Sequence, residues 1–199
     1  MPRLVDHAAR RAELRDALWR MVRRSGIAAV SVRAVAAEAG TSSSALRHYF
    51  ASQDELLGFA LLAVVERVEE RLLPGLPALT DADGARTIFE QFLPLDEERR
   101  AEIEVYLAFI GRAHTDPKLR KIRDDADDRA RKALRYAIGL LASAGALAPG
   151  RNLEEETSRI YVVLDGLAMH GALLPERYPP EHQRRILQMH LQDLRPRGG

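Results

Sequence analysis

Apolar residues recur at intervals of three and four along almost the whole chain, which predicts helices throughout and no strands. In AELRDALWRMVRRSG (12–26), Leu14, Ala17, Leu18, Met21 and Val22 form one stripe, and Gly26 follows a basic last turn as a stop. A short second helix comes next. Ser31 is placed to cap it, Val32, Val35, Ala36 and Ala39 share a face, and Gly40 supplies a left-handed residue at its end. Ser42 or Thr41 then caps a third helix of hardly two turns, containing Leu46, Tyr49 and Phe50. Ser52 and Glu55 have capping-box spacing for a fourth, which runs to about Leu73 before PGLP breaks it.

Beyond a linker, PGLPALTDADG (74–84), the helical period resumes with Ile88, Phe89, Phe92 and Leu93. The next segment, EIEVYLAFIGRAH, is apolar on nearly all sides, as a buried helix would be. A long helix over 117–145 carries DDADD. Asp124/Asp128, Asp125/Arg129, Asp127/Arg131 and Asp128/Lys132 stand four apart on it, so this acidic run reads as a solvated face rather than a metal site. Asn152 with Glu155 caps the following helix, whose three glutamates favour its positive end. PERYPPEHQ separates it from a last helix with Ile186, Leu187, His190, Leu191 and Leu194.

Composition then narrows the functional classes. With 199 residues and 46% hydrophobic content the chain can bury a substantial core, so disorder is not the main theme. The charged N-terminus lacks an apolar signal core, and no apolar run approaches the ~18 residues of a membrane span, so the expected setting is the cytoplasm, away from membranes. The chain has no cysteine, which removes disulfides, thiol nucleophiles and thiolate metal sites together. Net charge is only +1, but residues 1–57 hold nine Lys/Arg against six Asp/Glu while the remainder is net acidic, the sign expected if the first quarter meets a polyanion.

The second and third helices, joined by a turn on Gly40, have the lengths and spacing of a helix-turn-helix, whose second helix enters the DNA major groove. TSSS then has a purpose beyond capping. Small side chains at the start of the third helix let its backbone approach DNA, and their hydroxyls can bind phosphates or base edges. Arg47 can reach guanine O6 and N7 or a phosphate. The candidate DNA contacts are Arg33, Thr41, Ser42, Ser43, Ser44, Ala45, Arg47, His48, Tyr49 and Gln53.

Residues 10–57, in the order helix, SVRAVAAEAG, TSSSAL, HYF, DELL, resemble the DNA-binding domain of the TetR family of bacterial transcriptional regulators. The segment VLDGLAMHGALL (163–174) resembles the choline-repressor-type branch of that family. The resemblance implies an all-α, dimeric repressor: a DNA-binding domain over 1–51, and a ligand-binding and dimerisation domain over 52–199 whose last two long helices pair with their copies. It also implies double-stranded operator DNA, a second copy of the chain and a small-molecule effector as partners, with no cofactor. Some positions depart from the family pattern. Ser43 and Ser44 stand where many members have lysine and glycine, Arg47 where a tyrosine is usual and Gln53 where a lysine is usual, so base preference does not carry over.

The stripes Ile160, Leu164, Leu167, Gly171 and Leu187, Leu191, Leu194 are more apolar than two terminal helices need for one core, and are the candidate dimer interface. Phe89, Tyr106, Phe109, Arg112 and Asp165 are the candidate effector site. An acid within IYVVLDGLAMHG needs a partner if buried; it either sits hydrogen-bonded at a helix seam, the preferred reading, or serves as counter-ion to a cation. Arg112 among aromatics would instead favour an anionic or carbonyl-bearing ligand. An enzyme is disfavoured, since the six histidines show no metal-ligand spacing and neither a nucleophile elbow nor a phosphate-cradling loop is present. A purely structural helical protein is opposed chiefly by residues 31–57.

Overall fold

The computed structural model describes residues 7–196, so the outer limits of the two expected domains, 1 and 199, lie outside the described residues. Among the described residues it contains nine α-helices and no strand. They are α1 His7–Ser25, α2 Val32–Glu38, α3 Ser43–Arg47, α4 Gln53–Leu72, α5 Ala82–Glu90, α6 Glu97–Ala113, α7 Pro117–Ser143, α8 Leu153–Leu173 and α9 Pro180–Asp193. Single 3-10 turns at Ile27–Ala29 and Leu76–Ala78 join α1 to α2 and α4 to α5. The all-α fold agrees with the period of the apolar residues.

Two compact units make up the chain. One holds the described residues up to Val65 together with Glu104–Arg123; the other holds Glu66–Ile103 and the described chain from Asp124. In the first, Leu14, Leu18, Val22, Val35, Leu46 and Leu56 are fully or almost fully buried, and the Phe50 and Phe59 rings meet at 4.9 Å between centroids. Gly58 lets the start of α7 lie hard against α4: a Cβ there would stand 2.8 Å from Ile122 Cδ1 and 3.4 Å from Leu119 Cδ2. In the second, Ile88, Phe89, Leu93, Leu134, Ile138, Ile160, Leu164 and Leu187 form one apolar core. Truncating any one of these leucines or isoleucines to alanine removes about 2–5 kcal/mol.

Several local expectations change. α3 ends at Arg47, so Tyr49 and Phe50 lie beyond it, held by their N–H groups on the Leu46 carbonyl at 2.9 Å. α5 begins inside the expected linker because Asp81 accepts from Gly84 N at 2.8 Å and caps it. α6 starts five residues before EIEVYLAFIGRAH, where Asp96 accepts from Arg99 N at 2.8 Å, and it is not buried all round: Ile110 and Arg112 face solvent. On α7 the guanidinium groups reach other helices rather than the aspartates four residues earlier: Arg129 pairs with Glu69 of α4 at 3.2 Å, and Arg131 donates to Ser158 Oγ of α8 at 3.1 Å.

Candidate nucleic-acid interface

Local hydrogen bonds fix the helix-turn-helix. Ser31 Oγ accepts from Ala34 N at 3.2 Å and starts α2. At its other end Gly40 adopts φ 63°, allowing Thr41 N to reach back to the Ala36 carbonyl at 2.9 Å and Gly40 N to the Ala37 carbonyl at 3.1 Å. This left-handed turn suits glycine because a Cβ would be strained there. Ser42 rather than Thr41 caps α3, accepting from Ala45 N at 3.1 Å. Leu46 is buried and pins α3 to the core.

That anchoring turns the polar residues outward. Ser42, Ser44, Ala45, Arg47 and His48 are exposed; Thr41, Ser43 and Tyr49 are half-buried; Arg33 is exposed on α2. Arg33 and Arg47 make no ion pair with any described residue, so both guanidinium groups are available to a polyanion. Arg20 and Arg24 are not. Glu38 at the end of α2 accepts from Arg24 Nη2 at 2.8 Å and Arg20 Nε at 2.9 Å, bonds that hold its carboxyl below the usual range. Periodicity gives no sign of this clamp, because its partners lie 14 and 18 residues apart.

Gln53, a candidate DNA contact, has one amide N–H engaged within the fold. Its side-chain amide donates to the Val30 carbonyl at 2.7 Å, one residue ahead of the Ser31 cap. Ser52 Oγ accepts from Glu55 N at 3.1 Å, while the Glu55 carboxylate accepts from Ala51 N at 2.8 Å, one residue earlier than in the standard capping box. The first turn of α4 thus carries Asp54 and Glu55 and no cation.

The candidate effector residues fall in both units: Tyr106, Phe109 and Arg112 in the first, Phe89 and Asp165 in the second. Phe109 and Phe89 are fully buried in the cores of their respective units and Tyr106 is half-buried. Arg112 corrects the picture of an arginine amid aromatics: its side chain is 66% exposed, with Nη1 3.9 Å from Asp54. Asp165 is on the outward side of α8, not hydrogen-bonded at a seam. Packing around its carboxyl, with the Asp127 carboxylate nearby, pushes its pKa up to about 6.

Sequence reading missed two buried acids among the described residues, Glu156, paired with Arg151 at 2.8 Å, and Glu102. Arg71 grips Glu102 with two bonds, 2.6 and 2.7 Å, yet burial still leaves the Glu102 pKa raised. The sequence signal was the acid inside EIEVYLAFIG, an otherwise apolar stretch.

The candidate dimer stripe faces inward. Ile160, Leu164, Leu167, Leu187 and Leu194 lie in the core of their own chain with Leu191 packed against them. Gly171 accommodates Gln183 of α9, whose Nε2 would stand 2.3 Å from a Cβ. The outward faces instead display Val162 (73% exposed), Met169 and Leu173 on α8 and Met189 (59%) on α9.

Comparison with known proteins decides what this arrangement is. Residues 14–58 match the family of bacterial regulatory proteins described as tetR, and residues 81–196 match the C-terminal domain of BetI-type transcriptional repressors. The chain belongs to the TetR family. The HTH-type transcriptional regulator PksA of Bacillus subtilis (strain 168) is 33% identical over 98% of this chain and 94% of its own length. A transcriptional regulator from Rhodococcus sp. Rha1 superposes with a TM-score of 0.70 at 32% identity, covering 92% of this chain and 95% of that one. A regulator from Saccharomonospora viridis, solved in complex with choline, has a TM-score of 0.77 at 25% identity, covering 94% and 95%. This TetR-family chain is accordingly a DNA-binding transcriptional regulator of the BetI type and not an enzyme. Among the described residues no helix is long and apolar enough to cross a membrane.

Proposed function

We propose that this regulator is a cytoplasmic, homodimeric repressor that binds a palindromic operator and is released by a small-molecule effector. The observation that carries the reading is the outward surface of α3, where Ser44, Ala45, Arg47 and His48 are exposed behind a glycine turn and a buried Leu46. Direct contact is assigned to Arg33, Thr41, Ser42, Ser43, Ser44, Ala45, Arg47, His48 and Tyr49. Functionally the chain divides at 51/52, the first part reading DNA and the second binding effector and partner.

Dimerisation is assigned to the outward faces of α8 and α9, where Val162, Met169, Leu173 and Met189 are left uncovered. Exposed apolar side chains on two adjacent helices suit a self-complementary, two-fold contact. A dimer sets two copies of α3 about 34 Å, or a multiple of that, apart along the DNA.

A mainly apolar effector with one cationic end is the reading favoured over an anionic one. Arg112 is at the surface beside a carboxylate, whereas Asp165 has no hydrogen-bond partner among the described residues and is close enough to Asp127 to feel its charge. A relative of the same fold was solved with choline, a quaternary ammonium compound. The inducer must favour the DNA-incompetent state; a coupling of 1–3 kcal/mol changes DNA affinity about 5- to 150-fold. Selection from a random DNA pool tests the whole reading. A recovered palindrome supports it, and a pool with no enriched sequence overturns it.

A further inference from the structure

We propose that the turn between α6 and α7 is a second phosphate-contacting surface, with Lys118 and Lys121 gripping the DNA backbone beside the half-site that α3 reads. The inference rests on the DNA-binding reading above and extends it to residues outside the helix-turn-helix.

The start of α4 poses the problem. It follows the recognition helix directly, yet it reads Ser52, Gln53, Asp54, Glu55: two acids, no cation, and a neutral glutamine with one of its two amide N–H groups already on the Val30 carbonyl. Acids facing a phosphate backbone repel it, so a duplex lying against this end requires positive charge from elsewhere.

The structure supplies that charge from the chain's third quarter. The cleft at the start of α4, about 390 Å³, is lined by Ser52, Asp54 and Glu55 on one side and Asp116, Pro117, Lys118 and Leu119 on the other. Leu119 is buried and Gly58 admits Ile122, so the first turn of α7 is fixed against α4 within one compact unit. Arg112 lies 3.9 Å from Asp54 and offsets its charge. Asp116 is engaged as the helix cap, its Oδ1 accepting from Lys118 N at 2.7 Å. Arg120 is exposed, with only a long 3.5 Å bond to the His114 carbonyl.

Lys118 and Lys121 are exposed and have neither ion pair nor hydrogen bond from their side chains to any described residue. They are two of the chain's three lysines. A flexible, strongly hydrated ammonium suits a phosphate contact that needs charge but no fixed geometry.

The test measures operator affinity of the full chain by fluorescence anisotropy across a salt series, on a duplex extending about ten base pairs beyond each half-site and on one trimmed to the half-sites. On the long duplex, Lys118→Gln/Lys121→Gln should give a slope of log affinity against log salt shallower by about 0.9 for each phosphate that is no longer neutralised, or roughly 1–2 per protomer. The same change is expected on long random DNA, and little on the trimmed duplex. Lys118→Arg/Lys121→Arg keeps the charge and should retain the wild-type slope, as should Lys132→Gln, whose exposed side chain lies in the other unit. A wild-type slope in the double glutamine variant on the long duplex overturns the proposal while leaving the DNA-binding reading intact. Wild-type protein that binds no DNA overturns both.

Discussion

Gln53 donates its side-chain amide to the Val30 carbonyl at 2.7 Å, so the first residue of α4 is tied to the chain just ahead of the Ser31 cap. The bond joins the helix that leaves the DNA-binding unit to the loop that starts α2. Any tilt of α4 therefore pulls on the helix-turn-helix through a short, part-buried link as well as through core packing.

Replacing Gln53 with Leu should lower the melting stability of the free protein by about 0.5–1.5 kcal/mol, the worth of one such bond. Affinity should fall equally for operator and random DNA, with the salt slope unchanged because no charge is removed. Melting curves together with a salt series check both. A variant with wild-type stability but weaker DNA binding would return Gln53 to a direct phosphate role.

Arg47 has no ion pair with any described residue and projects from the last turn of α3. If it reads a base, Arg47→Ala loses about 1–3 kcal/mol on the operator and relaxes preference at one position in each half-site. Binding to operators substituted at each position in turn measures this. Equal loss on every sequence would make Arg47 a phosphate clamp.

The two faces of α8 predict opposite outcomes. Val162→Glu with Met189→Glu alters only exposed positions of the isolated chain, so it should leave the fold intact and yield monomers in sedimentation. Leu164→Ala empties part of the core and should destabilise by about 2–5 kcal/mol. Folded dimers of the double glutamate variant would rule out the outward face as the interface.

Patterning made the helices legible because each has its own period and punctuation. Ser31, Gly40, Ser42, Ser52 and Asn152 act through residues two to four away, within the reach of a sequence window. Facing was harder. α8 carries apolar residues both inward, at Ile160 and Leu164, and outward, at Val162 and Met169, so its sequence marks two apolar surfaces without saying which belongs to its own core. Side-chain bonds over long separations, such as Arg20 and Arg24 to Glu38 or Arg71 to Glu102, have no local signature at all. The Glu38 bonds in particular engage Arg20 and Arg24, while the candidate contacts Arg33 and Arg47 stay open to DNA.

Asp165 gives the fold a pH dependence whose sign follows from its raised pKa. Although the residue lies on the outward side of α8, packing around its carboxyl, and after it the charge of Asp127, moves its titration up to about 6 in the folded chain against an ordinary value of 3.8. The folded state therefore holds a proton that the unfolded state releases as pH climbs above about 4. Stability from this group is fully present below the unfolded pKa, falls through the interval and is lost once pH passes the folded value near 6. At neutral pH the native protein carries a carboxylate in surroundings that disfavour it. Asp165→Asn removes that charge while keeping the size, so the variant should melt higher than wild type at pH 8, with the difference closing by pH 4. Other shifted groups are common to both proteins: Glu102 is raised like Asp165, whereas His190 is lowered by burial and acts in the opposite sense. Subtracting the two melting profiles isolates Asp165. Asp127→Asn should give a smaller gain, since burial is the larger cause. Parallel profiles for wild type and Asp165→Asn from pH 4 to 8 would show that the carboxyl titrates in solvent like an ordinary aspartate and that its surroundings do not disfavour the charge.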